Sequence, residues 1–429
     1  MLNKIKRNTI RVSRYINNFW QKNSNKIMWK LLNNSKSLKI KYADYIINSN
    51  FSKSEDFVPL TNETHGVETN IKTLAFYLPQ FHQTEVNNKY FGRGFTEWSK
   101  VTKTIPQFTG HYQPHLPIDV GFYDLSHDDI MSRQIELAKM YGIYGFCFYY
   151  YWFSGDTLLE KPILNFLNNK ELNFPFCLMW TNETWTNIWG EGNEKKIIKE
   201  QKLLDDDDDK FANDILKYIS DKRYIKIGNK PLIILYQSQF FEFKRFKKFV
   251  SNLRKKIKTA GFEDAYLLTS NSGQGKIEVE ELNFDGVIEF THQNLPINTY
   301  SSNLQGRFVN PNFGGRIIDI KKALENNKHL ATKNDYKTFR CTYPGWDNSP
   351  RKAYAKQGCY VFDMTPKEFK IWFNDIVTWT KINHTKDEQL VFINAWNEWA
   401  EGAHLEPDQK YGYAYLQAVK DVLEETNDD

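Results

Sequence analysis

The stretch Leu390–Pro407, which reads LVFINAWNEWAEGAHLEP, indicates both an architecture and the place of a site. It opens with Leu390–Ile393, an apolar, β-branched run of strand length. The residues that follow are rich in amides, carboxylates and indoles, namely Asn394, Trp396, Asn397, Glu398, Trp399, Glu401, His404 and Glu406. An apolar strand with such an ending is typical of an active-site rim at the carboxyl end of a barrel strand.

Glu398 and Glu401 are the candidate catalytic residues of this stretch. They are three positions apart, so their side chains share one face if the chain turns helical after the strand. Two neighbouring carboxylates can be held in different protonation states, as acid–base chemistry on a glycosidic bond requires. A solvated helix start, where glutamates favour the dipole, is the simpler interpretation. The neighbouring indoles favour the functional interpretation, because a solvated cap does not need them.

Strand-like and helix-like segments alternate from residue 71 onward. The predicted strands are Thr73–Leu78, Gly145–Tyr151, Phe176–Trp180, Leu232–Tyr236, Tyr266–Ser270, Gly286–Phe290, Thr338–Thr342 and Leu390–Ala395. The predicted helices are Asp128–Tyr141, Leu158–Asn168, Lys210–Ser220, Phe243–Ala260, Pro366–Lys381 and Gly412–Glu425. This alternation indicates βα units and a parallel sheet. We predict an α/β fold, a (β/α)8 TIM barrel with long βα loops, over residues 71–429.

A doubly wound sheet is the competing architecture for such an alternation. It is disfavoured because no Gly-rich phosphate loop follows the first strand, where Pro79–Phe81 stands instead. A long insertion comes next and contains aromatic blocks such as Gly94–Trp98. Insertions of that length are usually functional or disordered, and this one is too aromatic to be disordered.

The ends of the other predicted strands carry the same mixture of side chains. In a barrel, these ends converge on one mouth. The candidate substrate-binding residues are Tyr77, Gln80, His82, Glu97, Trp98, Tyr151, Trp152, Trp180, Asn182, Trp185, Glu289, His292, Trp346, Asp347, Asn394, Trp396, Asn397, Trp399 and His404, with Glu183 as a catalytic or substrate-orienting candidate. Packing or capping explains the presence of any one of these residues. It does not explain why the same mixture of side chains follows seven of the predicted strands. Amides and carboxylates hydrogen-bond sugar hydroxyls and indoles stack on ring faces, so the pattern predicts a polysaccharide or oligosaccharide substrate.

Neither the histidines nor the cysteines indicate a metal site. The nine His and four Cys show no paired metal-ligand spacing. The run Asp205–Asp209 does not follow a strand, and we interpret it as a solvated turn that leads into a helix. We therefore expect no metal ion and no cofactor.

Positive charge is concentrated at the N-terminus. Residues 1–50 hold eleven Lys and Arg against Asp44 alone, a balance of +10, so the remainder carries −5 of the total +5. Residues 1–70 are predicted as a basic, Asn/Lys-rich arm, either amphipathic helices at Ile10–Trp20 and Ile27–Ile47 or a poorly ordered segment. Such helices contact anionic membranes peripherally. We expect no nucleic-acid partner, because the body is acidic. No run suits a signal peptide or a transmembrane helix, so the expected location is cytoplasmic, with the inner face of the membrane as an option.

Five blocks, in order along the chain, resemble one known family. They are Ala75–His82 (AFYLPQFH), Gly94–Trp98 (GFTEW), Tyr149–Trp152 (YYYW), Trp180–Glu183 (WTNE) and Asn397–Gly402 (NEWAEG). The chain resembles the WbsX-like family over nearly everything but the basic arm. That family is similar to glycoside hydrolase family 99, the endo-α-mannosidase and mannanase barrels.

The resemblance implies roles for the two glutamates of the NEWAEG block. Glu398 is implied as the base that removes a proton from the sugar 2-hydroxyl and gives a 1,2-anhydro intermediate. Glu401 is implied as the acid that protonates the leaving oxygen and then as the base that activates water. This route needs a 2-hydroxyl trans to the leaving group, as in α-mannose or α-rhamnose. An ordinary retaining mechanism uses a carboxylate nucleophile about 5–5.5 Å from the acid, and Glu183 is the candidate for it.

The leading hypothesis is a retaining, metal-independent glycoside hydrolase or transglycosylase. Its expected substrate is an α-linked, mannose- or rhamnose-like sugar in a bacterial surface polysaccharide. WbsX-like proteins are also described as glycosyltransferases of O-antigen or capsule assembly, and a nucleotide-sugar glycosyltransferase is the first alternative. A non-catalytic carbohydrate-binding barrel is the second; it would keep the aromatic residues but has no need for Glu398 and Glu401.

Overall fold

The computed structural model describes residues 52–61, 66–108, 110–187, 196–272, 275–290, 313–325, 330, 334–351 and 360–427, with isolated positions between 36 and 48. The predicted helix at residues 10–20 lies outside the described residues. The described positions of the predicted helix at residues 27–47 are helical and exposed. No helix among the described residues combines the length and the apolar character needed to cross a bilayer.

Parallel strands close into a barrel, and eight of them lie in the described part of the chain. They are β1 (Lys72–Tyr77), β2 (Gly145–Phe153), β3 (Phe176–Trp180), β4 (Lys230–Leu235), β5 (Tyr266–Ser270), β6 (Gly286–Ile288), β7 (the two pieces Thr338–Phe339 and Cys341–Thr342) and β8 (Leu390–Ile393). Each strand from β1 to β6 pairs with the next in chain order. The first piece of β7 pairs with β6 and the second with β8, which also pairs with β1. The predicted (β/α)8 barrel is confirmed.

Helices follow most of the strands and pack outside the barrel. Their bounds are α1 (Glu85–Phe91), α2 (Trp98–Val101), α3 (Asp128–Met140), α4 (Lys161–Asn168), α5 (Asp207–Ile219), α6 (Phe243–Thr259), α7 (Ile320–Leu324), α8 (Pro366–Asn383) and α9 (Ala414–Glu425). The aspartate run does begin α5, but Asp207 and Asp208 are buried rather than solvated. Asp207 accepts hydrogen bonds from Ser154 and from the Leu204 backbone, and Asp208 pairs with Arg245 of α6.

Short strands decorate the barrel. Asp156–Leu158 pairs antiparallel with the end of β2, and Lys226–Ile227 pairs with β4. Trp185–Thr186 pairs with Ile197–Lys199, and Arg316–Asp319 pairs with Tyr360–Asp363. Most of the predicted barrel strands end within two residues of the observed strand ends. The insertion after β1, which the sequence predicts only as a functional loop, contains the short helices α1 and α2.

The barrel interior is filled by large apolar side chains. All four residues of β8 are fully buried, as their β-branched and aromatic character predicts. The Phe76 ring packs on Phe392 with ring centroids 5.6 Å apart, and on Phe290 at 4.9 Å. Aromatic packing across the barrel axis therefore joins β1, β8 and the end of β6 in one core.

Residues that precede β1 form backbone hydrogen bonds with a segment near the C-terminus. The backbone N–H of Ser54 donates to Lys410, and that of Val58 donates to Tyr411. Gly412 has φ of 61°, and a Cβ there would clash with the Val58 carbonyl oxygen, so this close approach requires glycine. Residues 54–58 of the predicted arm therefore pack on the barrel.

Candidate active site

Glu398 and Glu401 lie at the carboxyl end of β8, on a hairpin rather than on an α-helix. Asn397–Glu398 pairs antiparallel with Ala403–His404. A single 3-10 turn, Trp399–Glu401, connects these two short strands. Residues three apart eclipse in such a turn. The sequence-based expectation that both carboxylates share one side is therefore met by a tighter turn than an α-helix.

Asn397 fastens this hairpin to the end of β1. Its Oδ1 accepts a hydrogen bond from the Leu78 N–H at 2.8 Å, and its Nδ2 donates to the Leu78 carbonyl at 3.0 Å. Both amide atoms are used by the backbone, and the side chain is fully buried. Asn397 therefore positions Glu398 and does not face a ligand.

Arg351 joins the two candidate catalytic carboxylates. Its Nη2 donates to Glu398 Oε2 at 2.6 Å and its Nη1 donates to Glu401 Oε1 at 2.9 Å. Nη2 also lies 3.4 Å from Glu97 Oε1. The four side chains retain between 5% and 13% of their exposure, so solvent screens these charges weakly. Three carboxylates thus share one guanidinium.

The cluster holds its carboxylates in unusual protonation states. Burial raises the pKa of Glu398 to about 8; Arg351 acts against this shift, and the negative charges of Glu401 and Glu97 add to it. Glu183 is open to the cleft, yet loss of hydration against the surrounding protein and the charge of Glu401 also raise its pKa. A carboxyl that retains its proton near neutral pH beside other carboxylates is what acid–base catalysis uses.

A cleft leads to this cluster. Its lining residues are Leu78, Gln80, Phe91, Phe95, Glu97, Lys100, Tyr151, Thr181, Glu183, Trp185, Thr186 and Arg351. The Tyr151 and Trp185 rings are stacked, with centroids 5.7 Å apart and planes 26° from parallel. Both remain partly exposed, so they form an aromatic wall of the cleft. The structure therefore brings Gln80, Glu97, Tyr151, Glu183 and Trp185 together with the glutamate pair.

Several predicted indoles lie in the core and not in the cleft. Trp152 and Trp180 are fully buried and pack on Phe211 of α5 at centroid distances of 5.1 and 4.7 Å. The Trp152 N–H donates to Asp214 at 2.7 Å and the Trp180 N–H donates to the Trp152 carbonyl at 2.9 Å. Three further predicted residues are fully buried, namely Tyr77, Trp396 and Trp399. Trp98 is nearly so, and its N–H donates to the Tyr123 carbonyl at 2.9 Å.

Polar candidates elsewhere on the rim are held by protein partners. Both carboxylate oxygens of Glu289 accept from Nη1 of Arg340. Asp347 accepts from His111 and Gln113, each at 2.6 Å. Asn182 exchanges hydrogen bonds with the Gln237 backbone, His82 lies 2.8 Å from the Pro79 carbonyl, and Asn394 accepts from Tyr149. Trp346 and Asp347 border a neighbouring cavity. His404 is buried beneath Trp399, with ring centroids 3.7 Å apart. His292 lies outside the described residues.

Glu406 supports the hairpin from below. It accepts hydrogen bonds from Gln134 at 2.6 Å, Tyr123 at 2.8 Å and Trp399 at 2.6 Å. All four side chains are buried. The position of Trp399, between the two catalytic candidates, therefore depends on a buried carboxyl.

We expect the Glu406→Gln substitution to change how stability depends on pH. Burial raises the pKa of Glu406 to about 7 despite its donors, against an ordinary value of 4.5. Such a carboxyl stabilises the fold below pH 4.5, and this contribution disappears as the pH rises towards 7. The wild type should lose about 3 kcal/mol relative to the variant across that interval, measured by urea unfolding at both pH values. An unchanged difference between the two proteins would contradict this expectation.

Sequence reasoning missed Arg351, Lys100 and the phenylalanines of the cleft. Arg351 lies on a 3-10 turn, Ser349–Arg351, several residues past the end of β7. Phe91 and Phe95 come from the insertion after β1, and Lys100 lies 5.7 Å from the Phe91 ring. One signal could have found Arg351: a cluster of buried glutamates requires a nearby cation, and Arg351 is the basic residue that directly follows the seventh rim.

The fold and this site define a (β/α)8 barrel with a cluster of buried carboxylates at its mouth. The sequence pattern of the family described as Glycosyltransferase WbsX matches residues 73–419, and the chain belongs to that family. The resemblance stated from the five sequence blocks is confirmed.

Curated relatives support the family assignment, and solved structures are similar in fold. The protein WxcX from two strains of Xanthomonas campestris pv. campestris, described as uncharacterized, is 36% identical over 351 residues, which are 82% of this chain and 49% of WxcX. The chain thus spans about half the length of these curated relatives. A structure described as a glycoside hydrolase-like protein has a TM-score of 0.52 at 13% identity, over 86% of this chain and 98% of that one, and supports the fold. A GH99 endo-α-mannosidase from Bacteroides thetaiotaomicron has a TM-score of 0.47 at 11% identity, over 82% of this chain and 96% of that one.

Proposed function

We propose that the protein is a retaining glycoside hydrolase in which Glu398 and Glu401 form the acid–base pair. The proposed substrate is an α-linked, mannose- or rhamnose-like sugar of a bacterial surface polysaccharide. The observation that carries the proposal is the contact of both carboxylates with one guanidinium at the mouth of the barrel. A shared cation holds two carboxyls close together while burial keeps a proton on one of them, which suits proton transfer to and from a glycosidic oxygen.

The pair has two alternative assignments of roles. Because its pKa lies near 8, Glu398 holds a proton at neutral pH in the free protein, and this suits it to protonate the leaving oxygen. The resemblance to family 99 implies the reverse, with Glu398 as the base at the 2-hydroxyl and Glu401 as the acid. We propose the first assignment for the free protein. The two assignments make different predictions for the pH–rate profile. Glu398 sets the alkaline limb if it is the acid and the acidic limb if it is the base.

The remaining cleft residues have supporting roles in this proposal. The stacked rings of Tyr151 and Trp185 would carry the apolar face of one sugar unit. Gln80, which also lines the cleft, would offer an amide to sugar hydroxyls. Glu183 is the proposed nucleophile if the reaction passes through a glycosyl-enzyme, and it would only orient the sugar if the 2-hydroxyl attacks instead.

Transfer to a sugar acceptor is the second candidate function, which the description of the family favours. The same pair would serve it, since an acceptor hydroxyl replaces water in the second step. The distinguishing experiment incubates the protein with mannose-, rhamnose- and galactose-containing polysaccharides in oxygen-18-labelled water, and reads the products by mass spectrometry. Label at the new reducing end supports hydrolysis. Unlabelled, lengthened glycans, or saturable binding of a nucleotide-diphosphate sugar by calorimetry, would support transfer.

We also propose that residues 1–50 contact an anionic membrane surface. Their balance of +10 would attract acidic lipids by about 1 kcal/mol for each basic residue close to the surface. Deleting residues 1–50 spares the backbone contacts of Ser54 and Val58 with the barrel. The deletion is expected to abolish sedimentation with phosphatidylglycerol vesicles and to leave the melting temperature unchanged. Equal sedimentation of both proteins would refute the proposal.

A further inference from the structure

Three potential metal-binding side chains converge beneath the hairpin that carries Glu398 and Glu401. His115 comes from the insertion after β1, and His404 and Asp408 follow β8. His115 Nδ1 lies 2.8 Å from His404 Nε2, which lies 3.8 Å from Asp408 Oδ2. One ligand atom of each residue lies within 4.8 Å of the others. Two imidazoles and a carboxylate are a ligand set that Zn²⁺ and similar ions bind in proteins.

We propose that His115, His404 and Asp408 bind a divalent transition-metal ion of the Zn²⁺ type. In the ion-free protein one hydrogen lies between the two facing nitrogens. The ion would displace it from His115 Nδ1, and Nε2 of that ring would carry a hydrogen instead. Ligand atoms about 2.0–2.1 Å from a tetrahedral Zn²⁺ lie roughly 3.3 Å from one another. The two nitrogens, 2.8 Å apart, would therefore move apart slightly, and the Asp408 oxygen, 3.8 Å from His404 Nε2, would move towards the ion.

Surrounding hydrogen bonds orient two of the three ligands. His404 Nδ1 lies 2.9 Å from the Glu406 carbonyl oxygen, which fixes the tautomer and turns the Nε2 lone pair towards His115 and Asp408. Asp408 Oδ1 accepts from the N–H groups of Lys410 and Tyr411 at 2.8 and 2.7 Å, so Oδ2 faces His404. Partners of this kind are what hold metal ligands in place.

The surroundings of the cluster are compatible with an ion. The Lys410 ammonium, 4.8 Å from the Tyr112 ring centre, is the nearby charge that opposes a cation, and the Asp408 and Asp347 carboxylates offset it. A cavity of about 240 Å³ bordered by His115 and Lys410 gives access to water and to the ion.

Such an ion would position the hairpin and would take no part in the reaction. It would link the insertion after β1 to the rim of β8, directly under the Trp399 ring that stacks on His404. Trp399 stands between Glu398 and Glu401 in the 3-10 turn. The three ligands lie outside the glutamate cluster, so they would bind the ion whether the enzyme hydrolyses or transfers sugars.

The test is titration of chelator-treated, full-length protein with Zn²⁺ by calorimetry, with thermal unfolding in parallel. We expect one saturable site and a raised melting temperature. The affinity should fall at least ~10-fold in His115→Gln and in His404→Gln. Unchanged affinity is expected in His384→Gln, because that buried histidine contacts the Thr338 carbonyl away from the cluster. Absence of saturable binding, or equal affinity in His404→Gln, would overturn the proposal.

Two further measurements keep the test decisive if a histidine variant does not fold. Wild-type protein titrated with Co²⁺ should develop visible absorption bands of nitrogen-liganded Co²⁺ that Zn²⁺ abolishes; the spectrum of hydrated Co²⁺ alone would overturn the proposal. Glu398→Gln should bind Zn²⁺ like the wild type. Loss of binding in that variant would place the ion at the glutamate cluster instead, and so overturn the assignment without bearing on the acid–base pair.

Discussion

Replacing Glu398 or Glu401 by Gln is expected to lower kcat for glycan cleavage by roughly 10²–10⁴-fold, the usual contribution of a positioned acid or base. Gln keeps the size and the hydrogen-bonding oxygen of the side chain but neither donates nor removes the proton. In each variant the amide oxygen of Gln still accepts a hydrogen bond from Arg351, so the cleft should keep its shape. The melting temperature is therefore expected to change much less than the rate.

The matched control is Glu388→Gln, at the opposite end of β8. Glu388 is partly exposed and pairs with Lys337, so its removal should cost less than about 1 kcal/mol and leave the rate unchanged. Wild-type turnover in either Glu398→Gln or Glu401→Gln would contradict the assigned pair. A wild-type protein that binds oligosaccharides but never turns them over would favour the carbohydrate-binding barrel over the enzyme.

The barrel could be predicted from the sequence because its signal is local. Each strand is a short apolar run such as Phe176–Trp180, which the structure reproduces with the predicted bounds. The weakest strand is the seventh, which is divided at Arg340, a residue whose side chain forms a buried ion pair with Glu289. A charged residue inside a predicted strand indicates that an oppositely charged partner is buried nearby, but the sequence does not show which residue that partner is.

The candidate site could be predicted only in part, because sequence position does not give the side to which a side chain points. Successive residues at the end of β2 face opposite sides, so Tyr151 lines the cleft while Trp152 packs on the helix layer. Both belong to the same aromatic block, and both were expected at the substrate. Burial of the indole with its own hydrogen-bond acceptor, Asp214, distinguishes them in the structure.

Contacts between distant parts of the chain escaped prediction for a different reason. Arg351 meets Glu97 across 254 positions, and His115 meets His404 across 289. Neither pair has a fixed spacing that a motif could record, and the expectation of no metal site rested on spacing alone. Only the closure of the barrel brings these segments together, with the insertion after β1 folded against the rim of β8.

Replacing Arg351 by Gln is expected to move one limb of the pH–rate profile upwards by about 1–3 pH units, the usual effect of an adjacent opposite charge. The guanidinium holds the pKa of Glu398 down, and Glu401 and Glu97 push it up. Without the guanidinium, the pKa of Glu398 must therefore rise above about 8. Stability should also fall, since the substitution leaves buried carboxylates without their cation, and Arg351→Lys should restore part of both properties.

The limb that moves identifies the role of Glu398. If Glu398 is the acid, activity is lost as it deprotonates, so the alkaline limb of kcat/KM belongs to it and moves up in the Arg351→Gln variant. If it is the base of the 2-hydroxyl route, activity appears as it deprotonates, and the acidic limb moves up instead. The control is Arg133→Gln, because Arg133 also pairs with two carboxylates, Asp119 and Glu136, but on the outer helix α3. A profile that is identical in all three proteins would show that Glu398 does not titrate in the catalytic cycle.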